Sequence, residues 1–188
     1  FKTLRVKPIS AADRARFELK PNIGMDFGYV DPNAIEKTYY EAGELRTLYI
    51  YEEFYQSEMT TKQIAAACKR IARHGELIRA DNAAKQAIVD LRTDYGINIT
   101  GVSKGKNSRR DGYDWLRDLD QIIIDPVSCP NAAREFAAYE YGRDKNGTLV
   151  ESYPDGNDHS IDAVAYGNRE HIYRSRRTRN RSGKGARR

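Results

Sequence analysis

The sequence Ile23-Gly24-Met25-Asp26-Phe27-Gly28 places a carboxylate among apolar residues that predict a β-strand. Burying a carboxylate costs free energy unless a cation or hydrogen-bond donors compensate its charge. A second polar cluster, Asp158-His159-Ser160-Ile161-Asp162, opens a predicted helix near the C-terminal end of the chain. Two such clusters in one small protein suggest that they share a cation.

Around Asp26 the sequence predicts three β-strands, followed by alternating helices and strands. The second and third strands alternate aromatic and charged residues, which is typical of a half-exposed antiparallel pair. The later helices alternate with short apolar strands, which predicts parallel pairing through right-handed crossovers. The predicted strands cover residues 22–30, 34–41, 46–54, 77–80, 97–102 and 122–124, and the predicted helices cover about 60–74, 83–95, 113–119, 131–141 and 158–170. A hairpin turn is predicted at 144–147.

This order of elements is that of a ribonuclease H-like α/β fold. In that fold a mixed sheet, with three antiparallel strands and then parallel strands, is flanked by helices. Acidic residues of such folds lie on the first strand, at the end of the fourth strand and on a late helix. Asp26, Asp81 and the 158–162 cluster stand at those three positions.

The chain has 188 residues, which is enough for one complete hydrophobic core. Its formal net charge of +5 is unevenly distributed, because residues 169–188 contain nine Lys and Arg against one Glu. A basic tail of this kind predicts an electrostatic partner such as DNA, RNA or an acidic protein surface. A solvated tail without any partner is the alternative.

The two cysteines, Cys68 and Cys129, are far apart in sequence and have no CxxC neighbour. Neither a disulfide framework nor a zinc site is therefore predicted, and we expect two buried thiols in a reducing compartment. The sequence has no signal peptide and no apolar run of about 18 residues, so we expect a cytosolic protein without a membrane partner.

Each acidic position also has a purely structural explanation. Backbone amides could satisfy Asp26 at a strand end, and Asp81 could be the N-cap of the helix that follows it. Asp158 could cap the last helix, with Asp162 in a solvated first turn where the helix dipole favours negative charge. At about 100° per residue, however, Asp158, His159 and Asp162 share one helix face. Their two carboxylates repel each other unless a divalent cation binds them.

The types of side chain indicate which cation would bind. Carboxylate oxygens around a hydrated site suit hard ions such as Mg²⁺ or Mn²⁺, whereas thiolates or several histidines would indicate zinc. Two such ions about 4 Å apart can activate a water molecule and stabilise the leaving oxygen of a phosphodiester. The acidic clusters therefore favour a hydrolase that uses two Mg²⁺ or Mn²⁺ ions.

Four motifs in this order resemble the C-terminal nuclease domain of the large terminase subunit of tailed bacteriophages. They cover residues 22–170, and their order is more specific than any one motif. The motifs are Gly24-Met25-Asp26-Phe27-Gly28-Tyr29, Ala80-Asp81-Asn82-Ala83, Lys104-Gly105-Lys106-Asn107-Ser108, and Asp158-His159-Ser160-Ile161-Asp162-Ala163 followed by Tyr166.

The resemblance implies a metal-dependent endonuclease that cuts concatemeric double-stranded phage DNA during genome packaging. On the family's pattern Asp26 bridges two metal positions, Asp81 completes one, and Asp162 completes the other. His159 corresponds to a histidine that lies near the metals in some members, which implies a ligand or proton-transfer role. Asp158 is explained adequately as a helix cap, and metal binding is its second interpretation.

Large terminases also carry an ATPase motor, but the sequence contains no GxxxxGK[ST] motif. We expect an ATPase region upstream, residues 1–20 as its connector, a nuclease domain over 21–171, and a disordered basic tail over 172–188. The resemblance also implies three partners, namely the portal protein, the small terminase subunit and the chain's own ATPase domain. The expected location is the cytoplasm of the infected bacterial host and not the mature virion.

A predicted basic loop after the fifth strand lies at the same sheet edge as Asp81. It offers four cations and one hydroxyl donor to DNA phosphates near the metals. The alternative is a solvated loop without a partner. The predicted DNA-binding residues are Lys104, Lys106, Ser108, Arg109 and Arg110.

Two other kinds of function fit the same motifs. The fold also serves ribonucleases H, resolvases and transposase-like enzymes, although Asp162 stands where transposases usually have Glu. A non-catalytic module that binds DNA or docks on the portal through its basic tail is the alternative from a different class.

Overall fold

The computed structural model describes residues 1–103, 105, 108–139 and 156–176. Within this part of the chain the centre is a seven-stranded sheet with the order β1-β7-β4-β3-β2-β5-β6. The strands are β1 (Leu4–Val6), β2 (Asn22–Asp26), β3 (Asn33–Ala42), β4 (Arg46–Gln56), β5 (Ile78–Asp81), β6 (Ile99–Val102) and β7 (Gln121–Ile124).

Helices flank this sheet on both faces. They are α1 (Ala11–Phe17), α2 (Thr61–Ile71), α3 (Lys85–Thr93), α4 (Ser108–Arg117), α5 (Pro130–Ala138) and α6 (His159–Gly167). A short 3₁₀ helix, Asn82–Ala84, follows β5, and residues 169–176 form a further helical segment after α6. None of the described helices is long and apolar enough to cross a lipid bilayer.

Strand pairing confirms the predicted fold class. β2, β3 and β4 form an antiparallel meander, whereas β5 pairs in parallel with β2, and β6 in parallel with β5. The first predicted strand is shorter than expected, because β2 ends at Asp26 and the chain turns away at Gly28. A Cβ atom at Gly28 would lie 2.3 Å from the carbonyl oxygen of Asp31, so the turn requires glycine. Asp26 is therefore the last residue of its strand rather than its middle.

The two faces of the sheet carry separate hydrophobic cores. Successive residues of a strand point to opposite faces. Ile23 and Met25 accordingly pack with the apolar residues of α2 and α3, whereas Gly24 faces α6. The second core joins α4, α5 and α6 with residues of β4 and β7. The late helices therefore lie on the opposite face of the sheet from α2 and α3.

The N-terminal segment is part of this domain. β1 pairs in parallel with β7, and Phe17 at the end of α1 is fully buried. Its ring packs against Tyr39, Tyr49 and Tyr51, with ring centroids 4.7, 4.6 and 5.4 Å away. The segment that we predicted to be a connector thus contributes a strand and a helix to the fold. An upstream ATPase region stays a prediction.

The predicted C-terminal boundary also shifts. Residues 171–176 continue the helical segment, and Ile172 is buried in the second core. The first residues of the predicted tail are therefore folded. The remainder, 177–188, and the predicted turn at 144–147 lie outside the described residues.

Helix α6 approaches β2 so closely that glycine is required at the contact. A Cβ atom at Gly24 would lie 1.8 Å from the carbonyl oxygen of Ala163, and one at Gly167 would lie 2.7 Å from the amide nitrogen of Gly24. We expect Gly24→Ala to lower the free energy of unfolding by more than about 3 kcal/mol, because backbone must move to admit the methyl group. Urea denaturation measures the change. Gly43→Ala is the control, since the nearest atom to its Cβ would be 3.9 Å away, and an equal loss in both variants would contradict this expectation.

Asp125, just after β7, ties the N-terminal segment to the sheet. Its carboxylate accepts hydrogen bonds from the N–H of Ile9 at 2.8 Å, from Arg14 at 2.7 Å, and from the N–H of Val127 at 3.0 Å. Burial by itself would raise the pKa of this carboxyl, but the hydrogen bonds outweigh burial and lower the pKa below its usual value.

We expect Asp125→Asn to destabilise the protein in a pH-dependent way. A carboxyl whose pKa is lowered by folding contributes stability that is present above its unfolded-state pKa of about 3.9 and is lost as pH falls through the folded value. The difference in unfolding free energy between the two proteins should therefore be full at neutral pH and shrink below about pH 4. Urea denaturation across this pH range measures it, and a difference that grows towards acid pH would refute the role of Asp125.

Candidate active site

The strands β2 and β5 bring the first two predicted acidic residues to one edge of the sheet. Asp26 is the last residue of β2 and Asp81 is the last residue of β5. These strands are parallel neighbours in which Met25 pairs with Ala80, so the next residue of each strand is a carboxylate. Asp81 also accepts a hydrogen bond from the N–H of Ala83 at 3.0 Å. It therefore caps the 3₁₀ helix and lies beside Asp26.

Helix α6 supplies the rest of the acidic cluster. It packs over β2, and its first turn carries His159 and Asp162 above the end of that strand. A cavity of about 290 Å³, which we call the acidic cleft, lies between these elements. Its lining includes every acidic residue and the histidine predicted from the sequence, together with two arginines and a tyrosine. These are Asp26, Asp81, Asp158, His159 and Asp162, with Arg109, Tyr166 and Arg169.

His159 joins α6 to β2 across the cleft. Its Nδ1 atom lies 3.1 Å from Oδ2 of Asp26, and its Nε2 atom lies 3.9 Å from Oδ1 of Asp31. The hydrogen bond with Asp26 raises the pKa of His159, although partial burial opposes this. The imidazole is thus held by a carboxylate of the cleft.

Asp162 is the acidic residue whose ionisation the cleft disfavours. Burial raises the pKa of its carboxyl to about 7, and the nearby carboxylates of Asp158 and Asp26 add to this effect. The guanidinium of Arg109 opposes it, with Nε 3.8 Å from Oδ1 of Asp162. A cation bound here would stabilise these carboxylates, because its positive charge offsets the repulsion between them.

Asp158 does not have the capping role that its position predicted. It stands at the N-cap of α6, yet its side chain makes no capping hydrogen bond. The carboxylate is buried, forms an ion pair with Arg109, and accepts a hydrogen bond from the Tyr113 hydroxyl at 3.0 Å. The cap interpretation is wrong because α4 offers this carboxylate stronger donors.

The predicted basic loop differs in the structure. α4 begins at Ser108, so Arg109 and Arg110 lie on a helix rather than in a loop. Arg109 points into the cleft, whereas Arg110 is more than half exposed, with Nε 3.7 Å from Asp114. Ser108 lines the cleft. Lys104 and Lys106 lie outside the described residues.

Comparison with known proteins decides the family. The family model for the terminase RNAseH like domain matches residues 26–167, a range that contains all the acidic residues of the cleft. The large terminase subunit of Bacillus phage SPP1 is 36% identical over 172 residues, which cover 88% of this chain and 40% of that protein. This chain belongs to the terminase RNase H-like domain family.

Solved structures of terminases show the same fold. The nuclease domain of the SPP1 large terminase, g2p, crystallised with bound Mn, has a TM-score of 0.84 and 34% identity, and the match covers 91% of this chain and 98% of that one. The large terminase nuclease of thermophilic phage G20c with bound magnesium has a TM-score of 0.57 at 19% identity over 78% and 79% of the two chains, and shares the fold alone. The resemblance found in the sequence is confirmed.

The chain corresponds to only part of its relatives. It spans 40% of the SPP1 large subunit. It also spans 33% of the PBSX phage terminase large subunit of Bacillus subtilis strain 168, to which it is 31% identical over 144 residues and 76% of its own length. The activities of the full-length relatives can therefore only be proposed for this terminase domain.

The cleft of this terminase domain suits a hard cation by the chemistry of its donors. Carboxylates from β2, β5 and α6 face one cavity, and their oxygens are the ligands that Mg²⁺ and Mn²⁺ prefer. The side chains are not gathered into a finished site: among the described residues, no three His, Cys, Asp or Glu side chains stand close enough to hold an ion as they are.

Glu135 does not line the cleft, but it positions α6, and the sequence did not predict this role. Its carboxylate accepts the N–H of Ser160 at 2.7 Å and the Tyr55 hydroxyl at 2.7 Å, and the side chain is buried. It therefore caps the N-terminus of α6 from a different helix and replaces the expected cap, Asp158. The available signal was a glutamate on the apolar face of α5, beside Ala132 and Phe136.

Arg169 is the second missed residue. Its guanidinium is buried and donates to the carbonyl oxygen of Ser103 at 3.1 Å and to the Tyr173 hydroxyl at 2.9 Å. The ring of Tyr173 also lies 4.3 Å from it. Arg169 thereby holds the chain that leaves β6 against the segment that follows α6, at the rim of the cleft.

We expect Glu135→Ala to lower the free energy of unfolding by about 2–3 kcal/mol, because it leaves the buried N–H of Ser160 and the Tyr55 hydroxyl without an acceptor. Urea denaturation measures the loss. Glu170→Ala is the matched control, since that carboxylate is 60% exposed in its ion pair with Arg79 and its loss should cost less than about 1 kcal/mol. Similar losses in the two variants would show that Glu135 does not cap α6.

Proposed function

We propose that this domain is a metal-dependent endonuclease that cuts concatemeric double-stranded phage DNA during genome packaging, by hydrolysis with two metal ions. The observation that carries this proposal is the convergence of Asp26, Asp81 and Asp162, from three different elements, on one cleft. Because the SPP1 nuclease domain was crystallised with Mn and the G20c nuclease with magnesium, we take Mg²⁺ or Mn²⁺ as the cofactor.

The proposed ligands follow from the order of the carboxylates around the cleft. Asp26 lies between Asp81 on the neighbouring strand and Asp162 on the overlying helix, so Asp26 would help to hold both ions, and Asp81 and Asp162 would each help to hold one. A bound divalent cation would supply positive charge at the scissile phosphate and lower the pKa of a water molecule.

The chain's own residues position the substrate and the ligands. The hydrogen bond between His159 and Asp26 fixes the orientation of that carboxylate. The ion pair of Arg109 with Asp158 holds the guanidinium beside Asp162, where it adds positive charge for a DNA phosphate. In this proposal Asp158 acts by orienting Arg109, and His159 is either a ligand or a proton-transfer group.

The remaining context of the proposed function comes from the terminase family. An ATPase region upstream, the portal protein and the small terminase subunit are the proposed partners, alongside DNA. The SPP1 large subunit is long enough for an ATPase region, since this chain spans 40% of it. The proposed location is the cytoplasm of the infected bacterium.

We expect Asp26→Asn and Asp162→Asn each to reduce plasmid nicking in Mn²⁺ by about 100-fold or more, because each removes an anionic ligand. Gel assays of supercoiled plasmid measure nicking, and fluorescence anisotropy of labelled duplex measures binding, which should be largely retained. Asp94→Asn is the control, because this exposed residue lies at the C-terminal end of α3 and does not line the cleft, so its loss should leave nicking unchanged.

Substrate preference distinguishes this proposal from the other nucleases that share the fold. Duplex DNA, an RNA·DNA hybrid and a four-way junction should be assayed side by side, and we expect the duplex to be cut fastest. Preferential cutting of the hybrid or the junction would favour a ribonuclease H or a resolvase. Nicking that survives both aspartate substitutions would reject the metal site, whereas an unsubstituted chain that binds duplex DNA without nicking it would favour a non-catalytic DNA-binding or docking module.

A further inference from the structure

A second cavity lies at the end of the sheet opposite the acidic cleft. Its volume is about 700 Å³, and it is formed where β2 begins, β3 ends and β4 begins, with α4 and the helical segment 169–176 beside them. We call it the basic groove. The lining residues that matter here are Lys20, Tyr40, Arg46, Trp115, His171 and Arg174.

The inner surface of the basic groove is aromatic. The ring of Tyr40 lies 5.3 Å from that of Trp115 and 4.7 Å from that of His171, in tilted or edge-on arrangements. Trp115 is almost fully buried and belongs to the second core. These rings are therefore fixed by packing, and they give the groove a rigid inner wall.

The rim of the basic groove is cationic. Lys20, Arg46 and Arg174 are exposed, and the described residues that line the groove include no Asp or Glu. Arg46 is paired with Asp120, which lies outside the lining, at 3.1 Å. Burial lowers the pKa of His171, and the cations Arg174 and Lys20 lower it further, whereas Glu170 opposes them.

The groove and the cleft are joined by two elements. β2 begins at Asn22 in the groove and ends at Asp26 in the cleft, and four steps along a strand span about 13 Å. The helical segment 169–176 places Arg169 at the cleft and Arg174 at the groove, about 7.5 Å apart along the helix axis. The two cavities are thus distinct but close enough for one polymer to contact both.

We propose that the basic groove binds the phosphate backbone of the same DNA duplex that the acidic cleft cuts. The proposal rests on the nuclease function given above, and it adds a second DNA contact away from the cutting site. A duplex carries about one negative charge per 1.7 Å of axis, so about eight charges fall within ~13 Å. Lys20 and Arg174 are the residues that contact phosphates.

Two observations favour DNA over an acidic protein segment. Arg174 and Ser175 line the groove, and the most basic part of the sequence follows them along the chain, because six of the last thirteen residues, 176–188, are Arg and none is Asp or Glu. A long, uniformly charged polymer matches a cationic path of this length. The rigid aromatic wall limits how far a ligand enters, which suits a backbone contact at the rim.

The test uses the full 188-residue chain and a fluorescein-labelled duplex in EDTA, so that no cutting occurs. Each phosphate contact contributes about 0.9 to the slope of log K against log salt concentration. We expect the double variant Lys20→Gln/Arg174→Gln to bind more weakly at low salt and to reduce the magnitude of the slope by about 2. Lys62→Gln is the control, since Lys62 is an exposed cation of α2 on the other face of the sheet, and its slope should be unchanged.

Circular dichroism and the melting temperature establish that the variants are folded. An unchanged slope in the folded double variant overturns the proposal. The proposal is also overturned if the double variant binds DNA as the unsubstituted chain does but no longer binds a polyglutamate peptide. The measurement is independent of nicking. If the double variant has a reduced slope and the Asp26→Asn variant still nicks, the groove proposal therefore stands and the metal site alone is rejected.

Discussion

The contact between α6 and β2 is the constraint on which the site depends. Gly24 and Gly167 let the helix lie directly on the strand, with backbone against backbone. This approach puts the first turn of α6 above the last residue of β2, so that His159 is within hydrogen-bond distance of Asp26. A larger residue at either glycine would lift the helix, and the carboxylates of the cleft would no longer face one another.

The electrostatics of the cleft follow from that approach. Several carboxylates are brought into one buried region, where each disfavours the charge of the others. Arg109 offsets part of this cost through Asp158 and Asp162. Asp158 is available to Arg109 because Glu135 caps α6 in its place. The position of one glutamate on α5 thus affects the charge balance of a site on another helix.

Local patterns in the sequence predicted much of the fold and part of the site. The strands and helices have strong periodicity, and Asp81 was predicted at the end of a strand. Asp26 was predicted in the middle of one, and the pairing of β2 with β5 in the structure places both residues at the same sheet edge. β1 was missed because three residues are too few to show a strand period. Arg109 was predicted in a loop because the first turn of α4 is polar and basic, and the large apolar residues of that helix begin only at Tyr113.

The sequence by itself determined the family, the order of elements and the residues whose chemistry suits a divalent cation. These depend on residue type and on spacing along the chain, which are local properties. Only the tertiary structure decided that Asp158 pairs with Arg109, that Glu135 caps α6, and that the N-terminal strand joins the sheet through β7. Each of those interactions joins residues that are far apart in sequence, and its partner is fixed by how the helices and strands pack.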